Sequence, residues 1–215
     1  MRTLEKVIAI LCCIIFLTQT TGKAEAAGNK LKIIADHANV DVKLAENGQY
    51  SYKYDSSKFT VTTDADGSVF KVNVNAKKAK MKNTNQSGFK NDKVTVFIPK
   101  KPYTRIVGVS KKGGLSLPAV NANITVKNKL GSAAIRLPSN YSKTVNYTGV
   151  SGSGALAMNE NKNFAINAKF SGCAVAVPGS WPAYSNGNSS YSYTKGKGAA
   201  KINIDLTGCS FSFVK

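Results

Sequence analysis

Beyond about residue 100 the chain alternates large apolar residues with small or polar ones, in short runs that stop at glycine, proline or another small residue. Five segments show it: Lys112-Gly113-Gly114-Leu115-Ser116-Leu117, Ser132-Ala133-Ala134-Ile135-Arg136-Leu137, Ser153-Gly154-Ala155-Leu156-Ala157-Met158, Gly172-Cys173-Ala174-Val175-Ala176-Val177 and Gly208-Cys209-Ser210-Phe211-Ser212-Phe213. In each, the second residue is small and large apolar side chains follow two and four positions later. Seven positions before these origins stand Ile106, Val126, Tyr147, Ile166 and Ile202, and nine before stand Thr104, Ile124, Val145, Phe164 and Ala200. Alternation with period two marks a strand with one buried face. Each unit therefore reads as two short strands joined at a corner. The origins 113, 133, 154, 173 and 209 are separated by 20, 21, 19 and 36 residues, a period of about 20 with one insertion. A sixth copy opens the chain, with Ala38 at the origin, Val40 and Val42 after it and Leu31 seven before.

A two-strand unit cannot bury its apolar face alone, whereas stacked copies bury a continuous core. The expected fold is all-β, a right-handed β-solenoid similar to a parallel β-helix, with coils of about 20 residues. The competing fold is an antiparallel β-sandwich, which also shows short alternating strands at regular spacing. The column of small residues favours the solenoid, because equivalent positions of successive coils stack about 4.8 Å apart. Pro118, Pro138 and Pro178 close three units at one shared position, and Ile98-Pro99 ends another strand in the same way; proline cannot donate to a ladder. The preceding region is less regular, with strand-like runs at 31–34, 40–44, 50–54, 59–63, 69–74 and 94–98, and turn signals at Asn47-Gly48 and Asp66-Gly67. No linker divides residues 27–215, which read as one domain with its repeats clearest over 103–215.

The first 26 residues read as a cleaved secretory leader. Arg2 and Lys6 form a basic start, residues 7–17 an apolar stretch, and Ala24-Glu25-Ala26 a small-residue cleavage site. Eleven apolar residues fall short of the roughly 20 that span a bilayer. Leu11 before Cys12 and Cys12 before Cys13 do not make a lipobox. The expected location is extracytoplasmic, secreted or at a bacterial cell surface. Of the 30 basic and 11 acidic residues, cleavage leaves 27 and 9, a formal charge of +18. It also leaves Cys173 and Cys209 as the only thiols. Exported cysteines are ordinarily paired, and these two occupy one column a strand spacing apart, within the reach of a disulfide. The sequence predicts that bond.

The units Ser151-Gly152, Ser171-Gly172-Cys173 and Thr207-Gly208-Cys209, after a strand ending in Ile98-Pro99 and the strand at 103–107, resemble the putative adhesin family of bacterial cell-surface proteins, whose fold is like the auto-transporter adhesin head. Gly196-Lys197-Gly198 followed by Ile202-Asn203-Ile204 is similar to that family's last coil. The resemblance covers most of residues 30–215. It implies a right-handed β-solenoid, an exported location and a binding or scaffolding role in a domain of unknown function, and it brings no catalytic residues. The chain departs from the family pattern by placing cysteines after the glycine and by its basic charge.

Catalytic material is scarce. Glycoside hydrolysis needs two carboxylates facing one another across a groove. The nine acids after the leader are Asp36, Asp41, Glu46, Asp55, Asp64, Asp66, Asp92, Glu160 and Asp205, and the last two do not share a column. Asp36, His37 and Asp41 read as a solvated strand edge, and no metal, phosphate or dinucleotide motif is present. The sequence therefore predicts no catalytic residues, no metal and no cofactor. Basic residues weigh more: Lys77, Lys78, Lys80 and Lys82 form a loop, and Lys111, Lys112, Lys127 and Lys129 fall near corners that stacking would align into one stripe. Nearly all are lysine, which suits diffuse attraction to a polyanion over bidentate recognition, although lysine also protects sheet edges. The excursion at 179–198 carries Trp181, Tyr184, Tyr191 and Tyr193, a candidate stacking surface for a ligand or a cap over the end of the coils. The expected function is non-catalytic binding or scaffolding at the cell surface, with anionic wall polymer, glycan or membrane headgroups as partners and no nucleic acid. The alternatives are a polysaccharide-active enzyme and a purely structural envelope protein.

Overall fold

The alternating runs become strands. The structure, a computed structural model, describes residues 29–65, 69–77, 92–158, 161–185 and 187–215. The leader, the Asp66-Gly67 turn, Lys78, Lys80, Lys82 and Glu160 lie outside the described residues. The first strands are β1 (Lys30–Asp36), β2 (Asn39–Ala45), β3 (Ser51–Lys53), β4 (Phe59–Ala65), β5 (Val69–Ala76) and β6 (Lys93–Pro99). Next come β7 (Arg105–Lys111), β8 (Gly114–Leu117), β9 (Asn123–Lys129), β10 (Ser132–Arg136), β11 (Thr144–Val150) and β12 (Ser153–Ala157). The last are β13 (Phe164–Ser171), β14 (Ala174–Ala176), β15 (Ser190–Lys195), β16 (Ala200–Thr207) and β17 (Ser210–Val214). No helix occurs among the described residues.

These strands make two mixed sheets that do not close. One has nine strands in the order β15-β13-β16-β11-β9-β7-β1-β5-β4, the other eight in the order β14-β17-β12-β10-β8-β2-β6-β3. Neighbours are parallel except β15 on β13, β4 on β5 and β3 on β6. From β7 to β14 the chain alternates between the sheets, so each pair of consecutive strands forms a rung with one strand in each. Inward residues of both sheets, among them Ile33, Ile106, Ile124, Val145, Ile202, Leu117, Ile135, Leu156 and Phe213, form one buried cluster.

Six crossings between the sheets are two-residue corners of one design. Their first residues are His37, Lys112, Leu130, Ser151, Gly172 and Gly208, all with φ between 50° and 60°. Five of these first residues, all but Gly172, donate their amide to the carbonyl of the neighbouring rung, as in Lys112 N to Lys129 O (2.9 Å) and Leu130 N to Val150 O (2.9 Å). The second corner residues are Ala38, Gly113, Gly131, Gly152, Cys173 and Cys209. A Cβ on Gly113 would lie 2.3 Å from the Ala38 carbonyl oxygen, and one on Gly131 would lie 2.3 Å from that of Gly113. From Ala38 through Gly113 and Gly131 to Gly152 the backbone of one corner rests directly on the next.

This stacking corrects the alignment drawn from sequence. Ala133 pairs with Leu115 and Gly154 with Phe211, so the residues that stack with Gly113 are Gly131 and Gly152, two before the expected origins Ala133 and Gly154. Leu117 pairs with Ile135, so Pro118 stands beside Arg136 and does not share a position with Pro138. A slip of two residues keeps every side chain on its correct face, so apolar alternation cannot detect it. The order of rungs also departs from the order of the chain. The first rung, β1 and β2, is inserted between β5/β6 and β7/β8, and the last rung, β16 and β17, is inserted between β11/β12 and β13/β14.

Beneath the corners runs a buried polar thread. Asn128 Nδ2 faces the carbonyl oxygens of Ser153 (2.9 Å) and Gly131 (3.1 Å) and the hydroxyl of Tyr147 (3.3 Å), and Ser110 Oγ donates to Gly113 O at 2.8 Å. Burial pushes the Tyr147 hydroxyl up to about 12, against the lowering effect of the Asn128 amide, and burial raises Tyr103 and Tyr141 too. Because the folded hydroxyls ionise above the unfolded value of 10.0, their contribution is complete below that pH and is lost above it. Urea midpoints should be level from neutral pH to about 9 and fall between about 10 and 12. Gly131→Ala should cost about 1–3 kcal/mol by forcing the corner apart, while Gly179→Ala, with nothing within 4 Å of the new Cβ, should leave the same midpoint unchanged.

Candidate binding face

The outward residues of the nine-stranded sheet stand in straight columns, because its parallel strands pair position for position. Column neighbours are one strand spacing apart, about 4.8 Å. On β5, β1, β7 and β9 this face is cationic. Lys30 stands beside Arg105, Lys32 beside Lys71, and Lys111 beside Lys129, while Lys127 fills the column between. Like charges directly opposite on a ladder repel. Lys71 is balanced by Asp64 at 3.3 Å. Among the described residues no carboxylate lies within 4 Å of Lys30, Lys32, Arg105, Lys111, Lys127 or Lys129. Asp36, next to Lys111 in register, is held at 2.7 Å by His37 Nδ1. The floor between the cations is apolar, formed by the half-buried Ile34, Val107 and Val109. Lysine stems lie over such a floor while their ammonium groups stay in water.

Along the same face, on β11, β16 and β13, the charges thin to Lys201, Asp205 and Lys169 and uncharged residues take over. Asn146, Asn203 and Asn167 stand in register, with Thr125 on one side and Ser192 on the other. Asp205 and Lys169 occupy the adjacent column. These side chains line a shallow depression of about 310 Å³. The outer face of the eight-stranded sheet is different again, a trough of small residues such as Ser116, Ala134, Ser132 and Ser153, with the Asp41–Lys93 pair (3.8 Å) at one end.

The structure brings Lys111, Lys127 and Lys129 together on the cationic half and puts Lys112 at the adjoining corner. Lys77 is exposed just past the end of β5, and its amide donates to Lys58 O. Lys30, Lys32 and Arg105 join the patch without having been singled out by sequence. Their outward phase is readable from the alternation, but their neighbourhood depends on the insertion of β1 between β5 and β7, which no local pattern encodes.

The aromatic excursion does not present a stacking surface. Trp181 and Tyr191 are only 7% and 6% exposed, and Tyr184 and Tyr193 are half-buried. β15 adds antiparallel to β13, turning Tyr191 and Tyr193 onto the end of the core. There Trp181 packs on Phe164 (5.1 Å), Tyr193 (5.4 Å) and Phe213 (5.7 Å), and Tyr184 meets Phe170 edge-on at 5.3 Å. The four aromatics cap the last rungs, a place where burial of large rings outweighs exposure for contact.

The expected disulfide is also corrected. Cys173 and Cys209 flank the paired residues Ala174 and Ser210, so the column assignment holds, yet both are free thiols. Each sulfur is turned back to the carbonyl two residues earlier, Cys173 Sγ to Ser171 O at 3.3 Å and Cys209 Sγ to Thr207 O at 3.2 Å. Cys173 Sγ in addition accepts the Cys209 amide at 3.3 Å.

No family model matches the chain, and no curated protein sequence matches it. Among solved structures, a crystal structure of a putative cell adhesion protein from Clostridium sporogenes is similar, with a TM-score of 0.55 at 14% identity over 87% of this chain and 92% of that one. At that identity the likeness is one of fold.

Two outcomes follow from the cap and the thiols. Trp181, the single tryptophan, should be shielded from acrylamide quenching, and Trp181→Ala should cost about 3–5 kcal/mol in urea denaturation. Alkylation without reductant should label both thiols, the half-buried Cys173 faster than the buried Cys209, whereas a bridged peptide in non-reducing maps would contradict the free-thiol geometry.

Proposed function

We propose that the chain is a non-catalytic cell-surface binding protein, an adhesin or scaffold, exported by the leader at 1–26 and built as a right-handed β-solenoid. Its cationic face attracts an anionic wall polymer, glycan or membrane headgroup through their shared phosphate and carboxylate groups. Three features support the coiled architecture: strands that alternate between two sheets, parallel in-register pairing, and corners stacked backbone on backbone. The distant structural neighbour, described as a putative cell adhesion protein, agrees with the functional class.

The observation that carries the ligand reading is the set of cations stacked on cations. Lys30 on Arg105 and Lys111 on Lys129 are arrangements that folding alone disfavours, and none of the four has a carboxylate within 4 Å among the described residues, Asp36 beside Lys111 being held by His37. A multivalent anion laid across the strands would meet a charge on each rung and would supply the missing counter-charge. Lysine suits this role, because a compact, mobile ammonium follows a polymer whose anions have no fixed orientation.

Binding of residues 27–215 to isolated cell walls, with and without their anionic polymers and across salt, tests the proposal. Retention should require the anionic polymer and fall steeply with ionic strength. Lys111→Gln with Lys129→Gln should weaken retention and reduce the salt slope by about one for each anion contact removed. The same pair should leave stability level or slightly higher, since a repulsive neighbour contact is relieved. Retention that ignored salt would refute the electrostatic reading.

A further inference from the structure

The amide-lined half of the face calls for its own explanation. Asparagine is depleted in strands, and three in register on adjacent strands, Asn146, Asn203 and Asn167, are not what strand formation selects. A mutual amide ladder accounts for one step only: Asn203 Nδ2 donates to Asn146 Oδ1 at 2.9 Å. That bond leaves Asn203 Oδ1 and Asn146 Nδ2 without a protein partner, and the Asn167 side chain makes no hydrogen bond among the described residues. One column over, Asp205 and Lys169 are register neighbours on adjacent strands, yet their charged groups do not come within 4 Å of each other. The carboxylate is thus an acceptor and the ammonium a donor, each without a protein ion partner. Thr148 adds a hydroxyl beside Asp205, and the group lines a depression of about 310 Å³.

We propose that this amide column, with Asp205 and Lys169 at its side, binds a neutral, hydroxyl-rich glycan. Each carboxamide offers a donor and an acceptor on one rigid plane, which matches a pair of neighbouring sugar hydroxyls. Amides repeat along the column at the strand spacing of about 4.8 Å, close to the rise of an extended pyranose chain, so successive sugars meet equivalent groups. Lys169 and Asp205 offset one another and Lys201, in the column on the other side of the amides, leaves a single cation in excess, so the uncharged carboxamides are what this patch offers in a row. This site adjoins the cationic half, where Lys127 is the register neighbour of Thr148, but it is argued from the amides and does not rest on the reading given to those cations.

The test uses residues 27–215 and three soluble probes, cellohexaose, laminarihexaose and chitohexaose. Titration followed by NMR should shift the side-chain amide signals of Asn146, Asn167 and Asn203 saturably for at least one of them. Raising ionic strength from about 0.1 to about 1 M, which cuts the screening length from about 10 to about 3 Å, should leave the affinity unchanged. Asn167→Ala with Asn203→Ala should lower affinity by about tenfold or more through the lost hydrogen bonds, while Asn140→Ala, at an exposed position outside the column, should not. Since the three asparagines are exposed, the double variant should keep the parent's urea midpoint, and if it does not, the wild-type shifts alone decide. Absence of shifts for all three probes, unchanged affinity in the folded double variant, or abolition by salt would each overturn the proposal. Salt-dependent retention on walls by the same variant would remain, so failure here is distinct from failure of the polyanion reading.

Discussion

Everything in the architecture rests on the two-residue corner. Its first residue adopts a left-handed conformation and, in five of the six corners, gives its amide to the rung alongside, while the second brings its backbone against the next corner. In four of six corners that left-handed residue is His37, Lys112, Leu130 or Ser151, each carrying a side chain that disfavours the conformation. The strain persists because the hydrogen bond and the close stacking are available in no other arrangement. Register follows from the same contact. With the corners fixed, the columns on both sheets are fixed, and so are the neighbours of every outward side chain.

Local alternation made the strands, their inward faces and the all-β class legible, and the outward phase of the lysines with them. The corner was less legible, because the glycine that marks it in β7/β8, β9/β10 and β11/β12 is the close-packed second residue, not the left-handed first one. Aligning on a small residue with large apolar side chains two and four positions later leads to Ala133 and Gly154, two residues too far, where the inside-outside pattern is equally satisfied. The excursion was misleading for a different reason. Trp181 and Tyr191 sit among Ser, Asn and Gly, a composition of surface loops, yet they pack on Phe164 and Phe213 at the end of the core, which would otherwise be left uncovered. The amide column escaped notice because Asn146, Asn167 and Asn203 are scattered over 57 residues and meet only when the last rung takes its inserted place.

The two halves of the outer face of the nine-stranded sheet share a backbone but differ in what they leave unsatisfied. Around β1, β7 and β9 the residue is charge without counter-charge, a long-range demand that acts over a screening length. Around β11, β16 and β13 it is hydrogen-bonding capacity without partners, a short-range demand that acts at contact. A surface with both would gather a polymer first and orient it afterwards. Neither demand stabilises the fold, which is held by the buried cluster between the sheets and by the corners. The outer columns are therefore free to vary in chemistry at little cost to the scaffold.

A stack of rungs that followed chain order would carry its termini at its two ends and could be peeled from either of them. Here β1 lies between β5 and β7, and β16 lies between β11 and β13, each bonded in parallel along both edges. Load applied to β1 or β16 thus enters a strand gripped from two sides, and must shear two ladders together before its rung comes free. The same threading delays completion. The gap that β16 and β17 fill exists only once β11 to β14 are in place, so that rung acts as a wedge that locks the stack after its neighbours have formed.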